Sequence, residues 1–137
     1  MGVVLDSSVL IAAERQGRNV RQLLTLIRAA IGETDVALSV VSLIELAHGV
    51  ARADSGERRS SREQFIQEVM TGLPVHPVTS STALRAGRID GESQAKGICL
   101  PLTDLLIGVT ALELGYSLAT GNLRHFQQVP GLSVIRL

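Results

Sequence analysis

Short runs of apolar residues alternate along the chain with longer stretches in which apolar residues recur every three or four positions. The runs have the length of strands, and the longer stretches have the period of helices. The predicted strands cover residues 2–6, 36–40, 74–78, 116–120 and 132–136. Strands that alternate with helices typically form a parallel sheet with helices on both faces. We therefore predict an α/β fold with a mostly parallel central sheet of four or five strands flanked by helices.

The stretches between the strands carry the signals of helix ends. Asn19 precedes one stretch and Gly32 follows it, as at a helix with a cap at each end. Ser7 or Ser8 is a candidate cap for the first helix, and Gly115 closes the last long one. The predicted helices cover residues 9–13, 20–31, 42–49, 52–69, 79–89 and 103–114.

Composition is consistent with one domain that spans residues 1–137. The chain is 45% hydrophobic and 19% charged, and chains of this length bury roughly two-thirds of the surface that they expose when unfolded. Phe65, Tyr116 and Phe126 are the only aromatic residues, so the core must be aliphatic. Cys99 is the only cysteine, which excludes an internal disulfide framework and a cysteine-based metal cluster.

The charge pattern and the lack of long apolar stretches bear on location and ligands. Asp6 interrupts the first apolar run, and no uninterrupted apolar stretch approaches the roughly 18 residues of a membrane span, so we expect a soluble, cytoplasmic protein. The net charge is zero, but of the 13 basic residues only Lys96 is a lysine. Guanidinium groups suit phosphate or carboxylate contacts, although a codon bias explains the same excess of arginine.

Three carboxylates lie where an apolar strand or loop meets an apolar helix. Each has a structural interpretation. Asp6 is a candidate helix cap, Glu45 completes a capping-box pattern that begins at Ser42, and Asp104 lies in a first helical turn, where an acid is favoured. These interpretations account for each acid separately but not for their common placement.

The carboxyl ends of parallel strands meet at one edge of a sheet, where binding sites gather. Carboxylates brought together there repel one another unless a hard cation such as Mg²⁺ or Mn²⁺ lies between them. The histidines have no zinc-ligand spacing, and we expect each of them to be a surface or packing residue; they are His48, His76 and His125.

Three blocks of sequence, in this order, resemble the PIN-domain family and most closely its VapC-type toxins. The blocks are VVLDSSVLIA, SVVSLIELAHGV and LPLTDLLIGVTALELGYSLATGNLRHFQQVPGL. This resemblance spans nearly the whole chain and implies a PIN-like three-layer fold. It also implies a Mg²⁺-dependent endoribonuclease, in which Mn²⁺ substitutes for Mg²⁺. Such an enzyme is the toxin of a type II toxin–antitoxin pair and hydrolyses RNA phosphodiester bonds with metal-activated water.

The resemblance also assigns site residues. It implies that the catalytic and metal-holding acids are Asp6, Glu45 and Asp104, and that the site is lined by Ser7, Thr120 and Asn122. Some relatives carry a fourth acid in the turn after the fourth strand, where this chain offers Asn122 and then His125. This departure puts occupancy by two metal ions in question.

The implied partners are an RNA substrate, a cognate antitoxin protein and a second copy of the chain. The two copies form a homodimer that assembles further with the antitoxin. We expect no membrane partner. The candidate RNA contacts are Arg15, Arg52, Arg58, Arg59, Arg85, Arg88, Lys96 and Arg124. The alternatives are a non-catalytic PIN-like interaction module and a PIN nuclease with a housekeeping RNA or DNA substrate. A phosphohydrolase with Asp6 as nucleophile fits less well, since that chemistry normally needs a second Asp at position 8, which is Ser8.

Overall fold

The computed structural model describes residues 1–137 and contains one five-stranded sheet in which every pair of neighbouring strands is parallel. The spatial order is β3-β2-β1-β4-β5. The strands are β1 (Gly2–Leu5), β2 (Asp35–Ser39), β3 (Val75–His76), β4 (Ser117–Thr120) and β5 (Val134–Arg136). All five predicted strands are therefore confirmed, and the proline-flanked β3 lies at one edge because it has a partner on one side only.

Seven helices connect these strands. They are α1 (Ser7–Arg15), α2 (Val20–Ile31), α3 (Val40–Ala51), α4 (Gly56–Gly72), α5 (Ser80–Ala95), α6 (Leu102–Leu114) and α7 (Leu123–Phe126). The cap at Asn19 is confirmed, since its side chain accepts a hydrogen bond from the backbone N–H of Gln22 and forms a capping box. Gly115 ends α6 in the left-handed region at φ +69°, where glycine is favoured.

The central strand β1 shows why both faces of the sheet are covered. Val3 and Leu5 pack with residues of α1, α2 and α4 on one face. Val4, which lies between them in sequence, packs on the other face with Ile107 of α6 and Phe126 of α7. Side chains alternate along a strand, so this all-apolar segment is buried on both sides. The predicted three-layer α/β architecture is confirmed.

Several predicted helix ends are wrong. The capping box from Ser42 to Glu45 does not form, because α3 begins at Val40 and is capped by Ser39, whose Oγ accepts from the N–H of Val41 at 3.1 Å. Neither Ser7 nor Ser8 caps α1, since the N-cap position belongs to Asp6 and both serines are helical. The early start of α3 went unpredicted because β-branched Val40 favours strands by propensity.

Two features were not predicted. The helix α5 runs to Ala95 rather than ending at 89. Its last turns are polar and show no apolar period, so apolar spacing does not predict them. The four-residue helix α7 is too short for a periodic pattern to reveal. None of the helices combines the length and the apolar character that crossing a membrane requires.

Candidate active site

The site begins where β1 ends. The backbone N–H of Asp6 donates to the carbonyl of Ala119 in β4 at 2.9 Å, so the chain is still paired with its neighbour when it presents the carboxylate. Asp6 is 3% exposed and extended at φ −70° and ψ 154°. It occupies the N-cap position of α1, yet its side chain makes no capping hydrogen bond. The capping interpretation of Asp6 is therefore wrong, and its carboxylate is directed to other partners.

Two hydroxyl groups hold one oxygen of Asp6. Ser8 Oγ donates to Oδ2 at 2.7 Å, and Thr120 Oγ1 donates to the same atom at 2.8 Å. Each hydroxyl is fixed in turn by a backbone N–H, because Gly121 donates to Ser8 Oγ at 3.0 Å and Asn122 donates to Thr120 Oγ1 at 2.9 Å. The turn after β4 thereby orients the Asp6 carboxylate through two relayed hydrogen bonds.

Glu45 reaches the same place from α3. Ser7 Oγ donates to Glu45 Oε2 at 2.7 Å and lies 3.4 Å from Asp6 Oδ1. One hydroxyl carries one proton, so the shorter contact takes it and Oδ1 of Asp6 is left with a weak contact only. Ser7 thus links the two acids while leaving one oxygen of Asp6 available.

Asp104 lies in the first turn of α6, and its carboxylate contacts one basic side chain. Its Oδ2 is 3.0 Å from Nδ1 of His125 in α7, and its side chain is 12% exposed. Burial raises the pKa of Asp104 above the ordinary value of 3.8, an effect that His125 opposes and that the carboxylates of Asp6 and Glu45 reinforce. Such a perturbed acid in a cleft is typical of functional sites.

The three acids line one open cleft of about 500 Å³. The remainder of its wall consists of Ser7, Ser8, Ile11, Ala12, Arg15, Pro101, Thr103, Asn122 and His125. Thr120 is fully buried and lies behind Asp6 rather than on the wall. The structure therefore brings five of the six predicted site residues to one surface and places the sixth directly behind it.

The donor set suits a hard cation that keeps part of its hydration shell. Oxygen atoms without a hydrogen-bond donor remain on Asp104 (Oδ1) and Glu45 (Oε1), and Asp6 Oδ1 has only the long contact with Ser7. No three histidine, cysteine or acidic side chains are close enough together to enclose an ion directly. Mg²⁺ is usually bound through one or two carboxylates plus water, so the residues fit a hydrated ion rather than a closed protein cage.

Sequence reasoning missed part of this arrangement. The sequence predicts no site role for Ser8 beyond a possible helix cap or the place of an absent second Asp, yet its hydroxyl contacts both Asp6 and the turn after β4. His125 was expected to be a surface or packing residue; it is half-exposed, but it contacts Asp104 and lines the cleft. The one available signal was the turn sequence GNLRH, which follows a predicted strand at the same edge of the sheet as Asp6.

Comparison with known proteins identifies the family of this chain. The PIN domain family matches residues 3–132. Ribonuclease VapC1 of Rickettsia felis is 30% identical over 98% of this chain and 96% of its own, and the tRNA(fMet)-specific endonuclease VapC of Salmonella typhimurium is 25% identical over 78% and 79%. The structure of VapBC-5, from the VapBC family of toxin-antitoxin systems of Mycobacterium tuberculosis, superimposes with a TM-score of 0.76 at 26% identity and covers 100% of both chains. The chain therefore belongs to the PIN-domain family, among its VapC-type toxin ribonucleases.

Proposed function

We propose that this protein is a Mg²⁺-dependent endoribonuclease, with Mn²⁺ able to replace Mg²⁺, and that it acts as the toxin of a type II toxin–antitoxin system. The observation that carries the proposal is the convergence of Asp6, Glu45 and Asp104 on one open cleft. The names of the relatives support RNA as the substrate class, since one is a ribonuclease and another a tRNA-specific endonuclease.

The residues of the cleft divide the work of phosphodiester hydrolysis. Asp6 and Asp104 would hold the cation, because both are buried and both keep an oxygen without a strong donor. The cation, when bound, supplies Lewis-acid stabilisation of the negative charge on the phosphate. Ser8 and Thr120 fix the Asp6 carboxylate and so restrict the directions from which it accepts a ligand.

Glu45 is placed to act on the attacking water. Its Oε2 is held by Ser7, while Oε1 has no hydrogen-bond donor and the side chain lines the cleft. This oxygen can take a proton from water as the new oxygen–phosphorus bond forms. In the hydrolysis the bond from phosphorus to the leaving ribose oxygen then breaks, and that oxygen receives a proton. No serine or cysteine nucleophile is needed for this reaction.

The proposed partners are a cognate antitoxin protein and a second copy of the chain. The similarity to a VapBC toxin–antitoxin structure supports the antitoxin. Large apolar side chains on three neighbouring helices support a homodimer: Ile44 on α3 is 62% exposed, and Leu84 on α5 and Leu102 on α6 are each 66% exposed. Large exposed apolar side chains of this kind are candidates for an interaction surface.

Incubation of the purified, partner-free protein with structured RNAs, with and without Mg²⁺, tests the function. We expect internal cleavage that requires the metal and that Asp104→Asn abolishes. Cleavage that survives this substitution would contradict the proposed site. Absence of both cleavage and Mg²⁺ binding in the unmodified protein would favour a non-catalytic PIN-like interaction module.

A further inference from the structure

A second groove adjoins the acidic cleft. It has a volume of about 240 Å³ and lies between α1, α3 and α4. Three residues line both cavities, namely Ile11, Arg15 and Glu45. The remaining wall consists of Glu14, Leu46, Gly49, Arg52, Arg62, Phe65 and Ile66. The two cavities are therefore adjacent, and Arg15 lines both of them.

The charges in this groove do not cancel one another. Arg62 is 21% exposed, lies 3.9 Å from the carboxylate of Glu14 and donates to the carbonyl of Gly49 at 2.6 Å. Glu45 is engaged with Ser7. Arg15 and Arg52 are exposed, and neither makes a salt bridge or a side-chain hydrogen bond. The groove thus presents two unpaired guanidinium groups next to the acidic cleft.

Helix ends offer a structural reason for these two arginines. Arg15 lies in the last turn of α1 and Arg52 at the C-cap of α3, where a cation gains up to about 1 kcal/mol from the helix dipole. The long helices α4 and α6 nevertheless have no basic residue in the last turn or at the C-cap. The dipole also gives no reason for both guanidinium groups to line the same groove.

We propose that Arg15 and Arg52 bind phosphates of the RNA strand on one side of the bond that is cut, and that the groove between α1, α3 and α4 carries this flanking strand away from the cleft. The inference rests on the proposed nuclease function. The acids repel phosphate at the cleft itself, so the strand needs positive charge close beside it. Phe65 is only 5% exposed and offers no ring for base stacking, and contact with the RNA backbone is therefore the recognition that the groove supports.

Binding of a fluorescein-labelled, single-stranded RNA of about 12 nucleotides, a length within the usual range of single-strand sites, tests this inference. Anisotropy is measured in EDTA over a series of salt concentrations, with the Asp104→Asn chain as parent so that RNA is not cut. We expect Arg15→Gln and Arg52→Gln each to weaken binding roughly tenfold. Each should also reduce the salt dependence by about 0.7 in the slope of log K against log salt, as the loss of one phosphate contact on a single strand requires.

Arg21→Gln is the matched control. Arg21 is also exposed and unpaired, but it lines a different groove, between α2 and α4, so its substitution should leave the affinity for RNA unchanged. Thermal melting checks that all three variants fold equally well.

The remaining outcomes contradict the inference in distinguishable ways. If the parent binds RNA and the Arg15 and Arg52 variants bind it equally well, only the role of the groove is wrong. The same conclusion holds if Arg21→Gln weakens binding as much as they do. If the two variants keep RNA affinity but lose binding of a labelled polyglutamate peptide, the groove receives an acidic protein segment instead. If the parent binds no RNA, the inference fails, and the Mg²⁺-dependent cleavage assay described above decides whether the proposed nuclease function fails with it.

Discussion

The helix α6 carries two carboxylates with opposite properties. Asp104, in its first turn, is buried, and that burial raises its pKa above the ordinary value. Glu113, near the other end, is exposed, and hydrogen bonds from the hydroxyls of Thr82 and then Ser81 lower its pKa. Both acids lie on one helix, so the difference comes from what surrounds each side chain.

The surroundings indicate which acid stabilises the fold. Both oxygens of Glu113 accept hydroxyl hydrogen bonds from the first turn of α5, and this contact fastens two packed helices together. Asp104 has one partner, His125, and is surrounded by two further acids. An acid kept in an unfavourable environment is typical of a functional site, where activity is gained at some cost in stability. We therefore propose that Asp104 is the functional acid of α6, whereas Glu113 is a structural one.

The largest expected effect is on catalysis. Asp6→Asn removes the charge of a proposed metal ligand. Its effect on the cleavage rate should exceed the 10–100-fold typical of outer-shell residues, so we expect cleavage to slow by more than about a hundredfold. Glu113→Gln should stay within about twofold of the unmodified protein, since it lines neither the cleft nor the adjoining groove. Initial rates of RNA cleavage measure both. Similar losses in the two variants would contradict the assignment.

A smaller loss of activity is expected at Ser8. Ser8→Ala removes one of the two hydroxyls that hold Asp6 Oδ2, and outer-shell partners of this kind contribute roughly 10–100-fold to activity or metal affinity. Ser81→Ala removes a comparable hydroxyl from Glu113 and should leave cleavage unchanged. Rates measured over a range of Mg²⁺ concentrations separate weaker metal binding from a slower reaction. Equal rates for Ser8→Ala and the unmodified protein would show that Thr120 alone positions Asp6.

The two acids should also affect stability in opposite directions. The pKa of Asp104 is higher in the folded chain than the ordinary value of 3.8, so the folded state binds the proton more tightly and loses stability as the pH rises through this window. Asp104→Asn should therefore stabilise the metal-free protein at neutral pH by about 1 kcal/mol. Urea unfolding in EDTA between about pH 4 and 7.5 measures this gain, which should shrink toward the acidic end. A destabilised variant at neutral pH would mean that the contact with His125 outweighs burial.

The smallest effect is expected at Glu113, whose pKa is lower in the folded chain than the ordinary value of 4.5. Its ionised form stabilises the fold above that value, and the contribution is lost as the pH falls through the lower, folded-state pKa. Because the group is exposed, Glu113→Gln should cost less than about 1 kcal/mol at neutral pH. The same series of urea-unfolding measurements quantifies this loss of stability, which should disappear at acidic pH. A gain in stability from this substitution would remove the contrast between the two acids.

The fold was predictable because period and length act locally. Five strands and six of the seven helices follow from apolar spacing. The errors arose where a single residue decides, as at Ser39, which caps α3 three residues before the serine that the capping-box pattern favours. The helix α7 is also set by its surroundings, since Phe126 is fully buried against α6 and the sheet.

The site was only partly predictable. Asp6, Glu45 and Asp104 each lie where an apolar run meets a helix. The family resemblance singled out all three. The contact between Ser8 and Thr120 joins residues 112 positions apart, and the contact between Ser81 and Glu113 joins residues 32 apart. Pairings at such distances are set by tertiary packing, which a single sequence does not reveal. Glu113 accordingly could not be distinguished as structural until its partners were known.

The most direct test of the account is calorimetric titration of the partner-free protein with Mn²⁺, which reports the ion site without requiring an RNA substrate. We expect binding to the unmodified protein, unchanged binding to Glu113→Gln, and at least about tenfold weaker binding to Asp104→Asn. Binding that is equally strong in both variants would place the ion elsewhere and contradict the assignment of Asp104 as the functional acid of α6.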